Sequence, residues 1–169
     1  LAAALSLMAR DRGDFEPRTQ MLLYPVTYND HDPFTSWFDS VRENGEDYLL
    51  TWRDIEGYME LYRSCPADLD NPYFAPLLDP DLSGQPRTLV ISAEYCPLRD
   101  EGEAYAGRME LEGSEVQCYR MLDAVHGYLL YPSILSLVKD TYRIIKHFLD
   151  DDELTQEGEP AWLGILGTD

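Results

Sequence analysis

The chain has 169 residues, 44% of them hydrophobic, which suits one packed domain. Its 32 acidic against 13 basic residues give a formal net charge of −19. Such a charge repels nucleic-acid phosphates and anionic lipid head groups, so neither is expected as a partner. No stretch approaches the roughly 18 consecutive apolar residues of a membrane span, and the apolar N-terminus lacks a basic leader, so a soluble, unprocessed chain is expected. The three cysteines, Cys65, Cys96 and Cys118, have no Cys-x-x-Cys spacing and indicate neither a disulfide framework nor a structural zinc site. A reducing cytoplasm is the simplest setting.

In chain order, Leu1 to Arg10 is helix-forming from its first residue, with no initiator Met and no cap, and reads as a helix whose beginning has been cut away. It should end near Arg12-Gly13, because Gly is favoured just past a helix and Arg suits its negative end. Met21-Leu-Leu-Tyr24, stopped by Pro25, reads as a strand buried on both faces. Between Tyr48 and Arg63 a stripe of Leu49, Trp52, Ile55, Met59 and Tyr62 predicts an amphipathic helix. Residues 64 to 86 carry prolines at 66, 72, 76, 80 and 86 and read as a long irregular connection.

Thr88 to Ala93 is the clearest strand, β-branched and uncharged. Asp100 to Gly113 reads as helix, Val116 to Met121 as a strand and Ile134 to Leu149 as a long amphipathic helix. Alternating helices and strands imply a parallel sheet of about three strands flanked by helices. The tail from Asp150 begins acidic, but Trp162, Leu163, Ile165 and Leu166 form an apolar cluster that should dock on something. The expected division is therefore a domain over 1–149 and a docked tail over 150–169.

The segment Ser92-Ala-Glu-Tyr-Cys-Pro-Leu-Arg-Asp-Glu-Gly-Glu-Ala-Tyr-Ala106 closely resembles the acid-loop and helix signature of the bacterial hormone-sensitive-lipase-like esterases, α/β-hydrolases. Leu1 to Gly13 resembles the helix after the nucleophile in that family, Met21 to Val26 the next strand, and Asn71 to Leu77 the loop before the acid strand. His126-Gly127-Tyr128 stands where the family carries its catalytic histidine. Together these pieces cover about 150 residues. The resemblance implies a partial α/β-hydrolase fold holding the last three strands of the sheet, the C-terminal half of the family's domain.

The family's reaction is acyl transfer by a Ser on a Gly-x-Ser-x-Gly turn, with a His as general base, a carboxylate orienting it, and an oxyanion hole that draws on an upstream glycine-rich loop. No cofactor or metal is implied. Neither the serine turn nor the glycine-rich loop occurs in this sequence. Ser6, Ser92 and Ser133 lack flanking glycines and read as ordinary helix or strand serines. His126 is the expected general base. At the family's acid position stands Cys96, a thiol whose ordinary pKa of about 8.5 leaves it mostly neutral, so it should orient His126 poorly. Loss of the negative charge in a serine-protease triad costs about 10⁴-fold in turnover. Two further readings of this locus are rescue by Asp100 or Glu101, which should otherwise serve the helix dipole, and a nucleophilic Cys96 paired with His126.

Elsewhere, His31 between Asp30 and Asp32 reads as a solvated loop rather than a metal site, and His147 as surface. Tyr48, Trp52, Tyr58 and Tyr62 either line an acyl pocket or pack in the core. The acidic runs Asp79-Pro-Asp81 and Asp150 to Glu153 read as solvated surface. An exposed strand edge at Met21 to Tyr24 is an association hazard. It should be covered by self-pairing, by the Trp162 cluster, or by a missing N-terminal half. The chain is expected to be a catalytically incomplete carboxylesterase fragment that forms a homo-oligomer. The alternative is a non-catalytic binding or scaffolding protein derived from an esterase.

Overall fold

The computed structural model describes residues 1–131, 135–150 and 162–166. Helix α1 spans Ala2–Arg12 and ends at Gly13, whose φ of 66° lies in the left-handed region that glycine enters without a Cβ clash; its N–H donates to the Ala9 carbonyl. Strand β1 follows at Thr19–Leu23, then a short helix α2 at Asp39–Asn44 and helix α3 at Trp52–Tyr62. Strand β2 (Arg87–Tyr95), helix α4 (Arg99–Leu111), strand β3 (Val116–Val125), helix α5 (Leu135–Asp150) and strand β4 (Trp162–Leu166) complete the order.

Strands β1, β2 and β3 are parallel neighbours, and β4 lies antiparallel on the far side of β3. The sheet thus has three parallel strands, as expected, plus an antiparallel fourth formed by the apolar cluster of the tail. Leu89, Ile91 and Ala93 of β2 face Ile55 and Met59 of α3, Ile144 and Phe148 of α5, and Trp162. The alternate residue Val90 faces Ala3 and Leu7 of α1 and Tyr105, Ala106 and Met109 of α4. Period-two alternation along a strand covered on both faces produces this division. Each fully buried large apolar side chain contributes about 1.5–3 kcal/mol relative to exposure.

Three expectations are corrected here. Strand β1 is not buried on both faces: Gln20 and Leu22 are inside while Thr19 and Met21 are exposed. Being at the margin of the sheet, it has a covering helix, α1, on the Leu22 side only. Helix α3 begins at Trp52 rather than Tyr48, because Thr51 caps it: its side chain accepts from the Asp54 N–H while the Asp54 carboxylate accepts from the Thr51 N–H. Its inward face is only Ile55 and Met59, whereas Leu49, Tyr58 and Tyr62 are exposed. The predicted stripe ran one turn past the cap.

Residues Trp162–Leu166 of the tail pair along the β3 edge, on the opposite side of the sheet from β1. In a parallel ladder, alternate residues bond to one neighbour. The Tyr24 N–H donates to the Ile91 carbonyl, so even-numbered residues of β1 bond to β2. The backbone groups of Thr19, Met21 and Leu23 therefore point to the open side. Among the described residues no strand pairs there.

Candidate functional site

The carboxyl ends of β2 and β3 bring Cys96 and His126 together. The Cys96 Sγ lies 3.3 Å from His126 Nδ1. Cys96 is fully buried, and burial pushes its thiol up to about 12. Burial likewise lowers His126 below its ordinary value of 6.5. Both shifts favour the neutral forms of the pair. A thiolate–imidazolium nucleophile needs the reverse of both, so neither shift favours the thiol-hydrolase reading.

The loop carrying Cys96 is clamped by α2, an element the sequence reading missed. Asn44 Nδ2 donates to the carbonyls of Glu94 and Cys96 at 3.2 and 3.4 Å. Ser40 Oγ donates to the Pro97 carbonyl at 2.7 Å, and the Ser40 N–H donates to Asp100 Oδ2 at 2.7 Å. Arg99 bridges to Glu43 at 2.8 Å and to Asp100 at 2.7 Å. With only six helical residues, α2 shows too little periodicity to be read from sequence. Its Asp39 in the first turn and Arg42 in the last were the available signal.

Asp100 and Glu101 do not reach His126. Both oxygens of Asp100 are engaged by Arg99 and Ser40. Glu101 is fully buried and accepts from the Thr27 and Tyr28 N–H groups through Oε1, while Oε2 lies 2.6 Å from His31 Nε2. This corrects the reading of His31 as a solvated loop residue: it is fully buried. Burial works against its charged form, but the Glu101 charge and hydrogen bond outweigh that and raise His31 above 6.5. The pair was invisible in sequence because its members are 70 positions apart.

The other candidates are accounted for. Ser6 Oγ donates to Gln85 Oε1 at 2.8 Å and Ser92 Oγ to Glu103 Oε1 at 2.6 Å, so both serve structure. Ser133 and the run from Asp151 to Glu153 lie outside the described residues. Asp79 is buried and paired with Arg10 at 3.2 Å rather than solvated, and His147 is half-buried rather than on the surface. Tyr48 stacks on Tyr95 and Tyr62 on Phe74, both with ring centroids 5.2 Å apart. Tyr58 and Tyr62 are exposed, while Phe74 packs against the core. Among the described residues no cluster of three His, Cys, Asp or Glu side chains is placed to hold a metal ion, and no helix is long and apolar enough to cross a membrane.

His126 opens onto a groove of about 370 Å³ lined by Leu1 to Ala3 and by Met21 to Val26. Tyr24 meets the His126 ring edge-on at a centroid distance of 4.7 Å. Gly127, at φ 74°, turns the chain away behind the imidazole into a short 3₁₀ turn at Tyr128–Leu130. The groove therefore runs along the open edge of β1 at the carboxyl end of the sheet, where open α/β folds bind ligands.

A helix-flanked parallel sheet with a histidine on the loop after its third strand, facing the loop after the second, is compatible with an α/β-hydrolase fold. The chain belongs to the alpha/beta hydrolase fold family, whose profile it matches over residues 1–130. It is 37% identical over 134 residues to the carboxylic ester hydrolase LipN of Mycobacterium tuberculosis, covering 76% of this chain and 34% of LipN. It is 34% identical over 152 residues to an arylesterase of Saccharolobus solfataricus, covering 85% of this chain and 48% of that one. The crystal structure of a thermostable esterase from Pseudomonas putida superposes with a TM-score of 0.81 at 31% identity, covering 92% of this chain and 48% of that chain. The chain thus spans about a third to a half of the length of these relatives.

Proposed function

We propose that the chain is the histidine-bearing half of a serine carboxylesterase, in which His126 is the general base of ester hydrolysis by acyl transfer. The observation that carries this reading is the contact of His126 Nδ1 with residue 96 beside a groove that follows an unpaired strand edge. That contact leaves the other ring nitrogen of His126 to serve a nucleophile brought in along β1. Alone, the chain is catalytically incomplete: it has no Gly-x-Ser-x-Gly and no glycine-rich oxyanion loop. Cys96 supports a second reading, a non-catalytic binding or scaffolding protein, because a neutral thiol does not stabilise an imidazolium. The free cysteines, one exposed and two buried, suit a reducing compartment such as the cytoplasm.

The test is hydrolysis of a short p-nitrophenyl ester by the chain alone and by the chain joined behind the first half of the Pseudomonas putida esterase. The chain alone should be inactive. The joined protein should hydrolyse the ester, weakly with Cys96 and strongly with Cys96→Asp, and lose activity with His126→Ala. Robust hydrolysis by the chain alone that survives His126→Ala would overturn the assignment. A joined, folded protein that stays inactive even with Cys96→Asp favours the scaffolding reading.

We further propose that in the isolated chain a second copy closes the β1 edge, giving a dimer. The exposed side chain of Met21 and the outward backbone groups of Thr19, Met21 and Leu23 make that edge adhesive. Because each copy carries a charge of −19, added salt should strengthen the dimer by screening repulsion. Light scattering should give a dimer mass that Met21→Lys reduces to the monomer. A monomer at all salt concentrations sinks the proposal.

A further inference from the structure

Two departures from ordinary backbone geometry stand on either side of His126. Among the described residues, Tyr24 and Asp123 are the only non-glycine residues in the left-handed region, at φ 40° and 56°. Such residues persist only where their surroundings hold them, and they concentrate at functional sites. Tyr24 touches the His126 ring. Asp123 lies on β3, three residues before His126.

The ladder between β2 and β3 is irregular at the same point. Ala93 pairs with Met121 and Tyr95 with Val125, so two steps along β2 correspond to four along β3. A bulge of this kind re-aims the side chains that follow it. It also takes the Asp123 N–H out of the ladder, and Glu94 Oε2 accepts that N–H at 2.8 Å. The Glu94 backbone is fixed in turn, because its carbonyl accepts from Asn44 Nδ2 and Arg99 Nη1, each at 3.2 Å. One residue, two positions before Cys96, therefore ties the Cys96 loop to the segment that delivers His126. This arrangement sets Glu94 beside the acidic Asp123 in a chain already at −19, and it holds an aspartate at positive φ. Neither choice favours stability by itself.

We infer that Glu94 is a positioning residue for His126: by accepting the Asp123 N–H, its carboxylate holds the bulge that sets Nδ1 of His126 against residue 96. The consequence for catalysis rests on the reading of His126 as the general base. The geometric claim does not. A bond that merely steadied a turn would leave the imidazole unmoved when broken. A positioning bond moves it, and an isosteric acceptor restores it.

The test compares Glu94→Ala with Glu94→Gln in the full chain, following the ¹H–¹⁵N signals of the His126 imidazole through a pH titration. The Gln amide oxygen can accept the same N–H. In Glu94→Ala the ring should loosen and gain water, so its titration moves up toward 6.5 and the cross-peak between the Tyr24 and His126 rings weakens. In Glu94→Gln both should remain as in the wild type. Amide exchange of the wild-type Asp123 N–H is the independent measurement if Glu94→Ala does not fold, and protection is expected. A Glu94→Ala protein that titrates like the wild type, a Glu94→Gln protein that shifts equally, or an unprotected Asp123 amide overturns the inference. None of these reads ester hydrolysis, so failure here leaves the carboxylesterase proposal standing. Inactivity of the joined protein likewise leaves this inference standing.

Discussion

Replacing Cys96 with Asp is expected to raise the pKa of His126 by about 1–3 units, the effect of an opposite charge within hydrogen-bonding distance. In the wild type the neighbour at 3.3 Å is a buried thiol pushed up to about 12, and His126 is lowered from 6.5 by desolvation alone. A carboxylate at position 96 would stand in the place of the thiol beside Nδ1. It would add a charge aimed at Nδ1.

The sign of the pH dependence should then reverse. In the wild type the unfolded chain takes up the His126 proton first as the pH falls through 6.5, so this group withdraws stability on acidification. In Cys96→Asp the folded chain takes up the proton first. The pair then adds stability below 6.5 that is lost as the pH rises through the folded value. The imidazole titration, read by NMR, checks the shift, and urea midpoints across the same pH range check the sign. A His126 whose titration does not move upward in Cys96→Asp would show that residue 96 does not control it.

Glu101→Ala is expected to cost about 3–5 kcal/mol, the usual result of removing one partner of a buried pair. Glu101 is fully buried and serves four donors: the Thr27 N–H, the Tyr28 N–H, His31 Nε2 and, through its backbone carbonyl, the Thr27 hydroxyl. Only the last survives the substitution. Two backbone N–H groups and a buried imidazole would lose their acceptor, each at a desolvation cost. Against a typical total of about 5–15 kcal/mol, that loss is a large share. Denaturant midpoints measure it, and a loss below about 1 kcal/mol would mean that water or another group replaces the carboxylate.

The same pair predicts an alkaline limb. The folded pKa of His31 is raised above 6.5, so its contribution is fully present below 6.5 and declines as the pH rises through the folded value. That limb should disappear in Glu101→Ala, where desolvation is no longer offset.

Most of the element order was legible in the sequence because its signals are local, whereas the short helix α2 and the strand β4 were not. The end of α1 at Gly13, the uncharged β-branched run of β2 and the amphipathic pattern of α5 each depend on neighbours within a few residues. The resemblance of the Ser92–Ala106 segment and of His126-Gly127 likewise singled out positions 96 and 126 before any distance was known. Tertiary structure decided what lies far apart in the chain. The cap at Thr51 shortened a helix whose apolar stripe alone ran further. The Trp162 cluster was legible as apolar, but only three-dimensional packing assigned it to the β3 edge, between Trp162's place among Leu89, Ile91 and Met121 and the contacts of Ile165 and Leu166 with the opposite core. His31 stood between two aspartates in a loop and read as solvated, and a partner 70 positions away made it core. Composition and spacing report which side chains can bury or bond. Which of them meet, and with what burial, depends on loop closure and sheet register, and these are properties of the assembled fold.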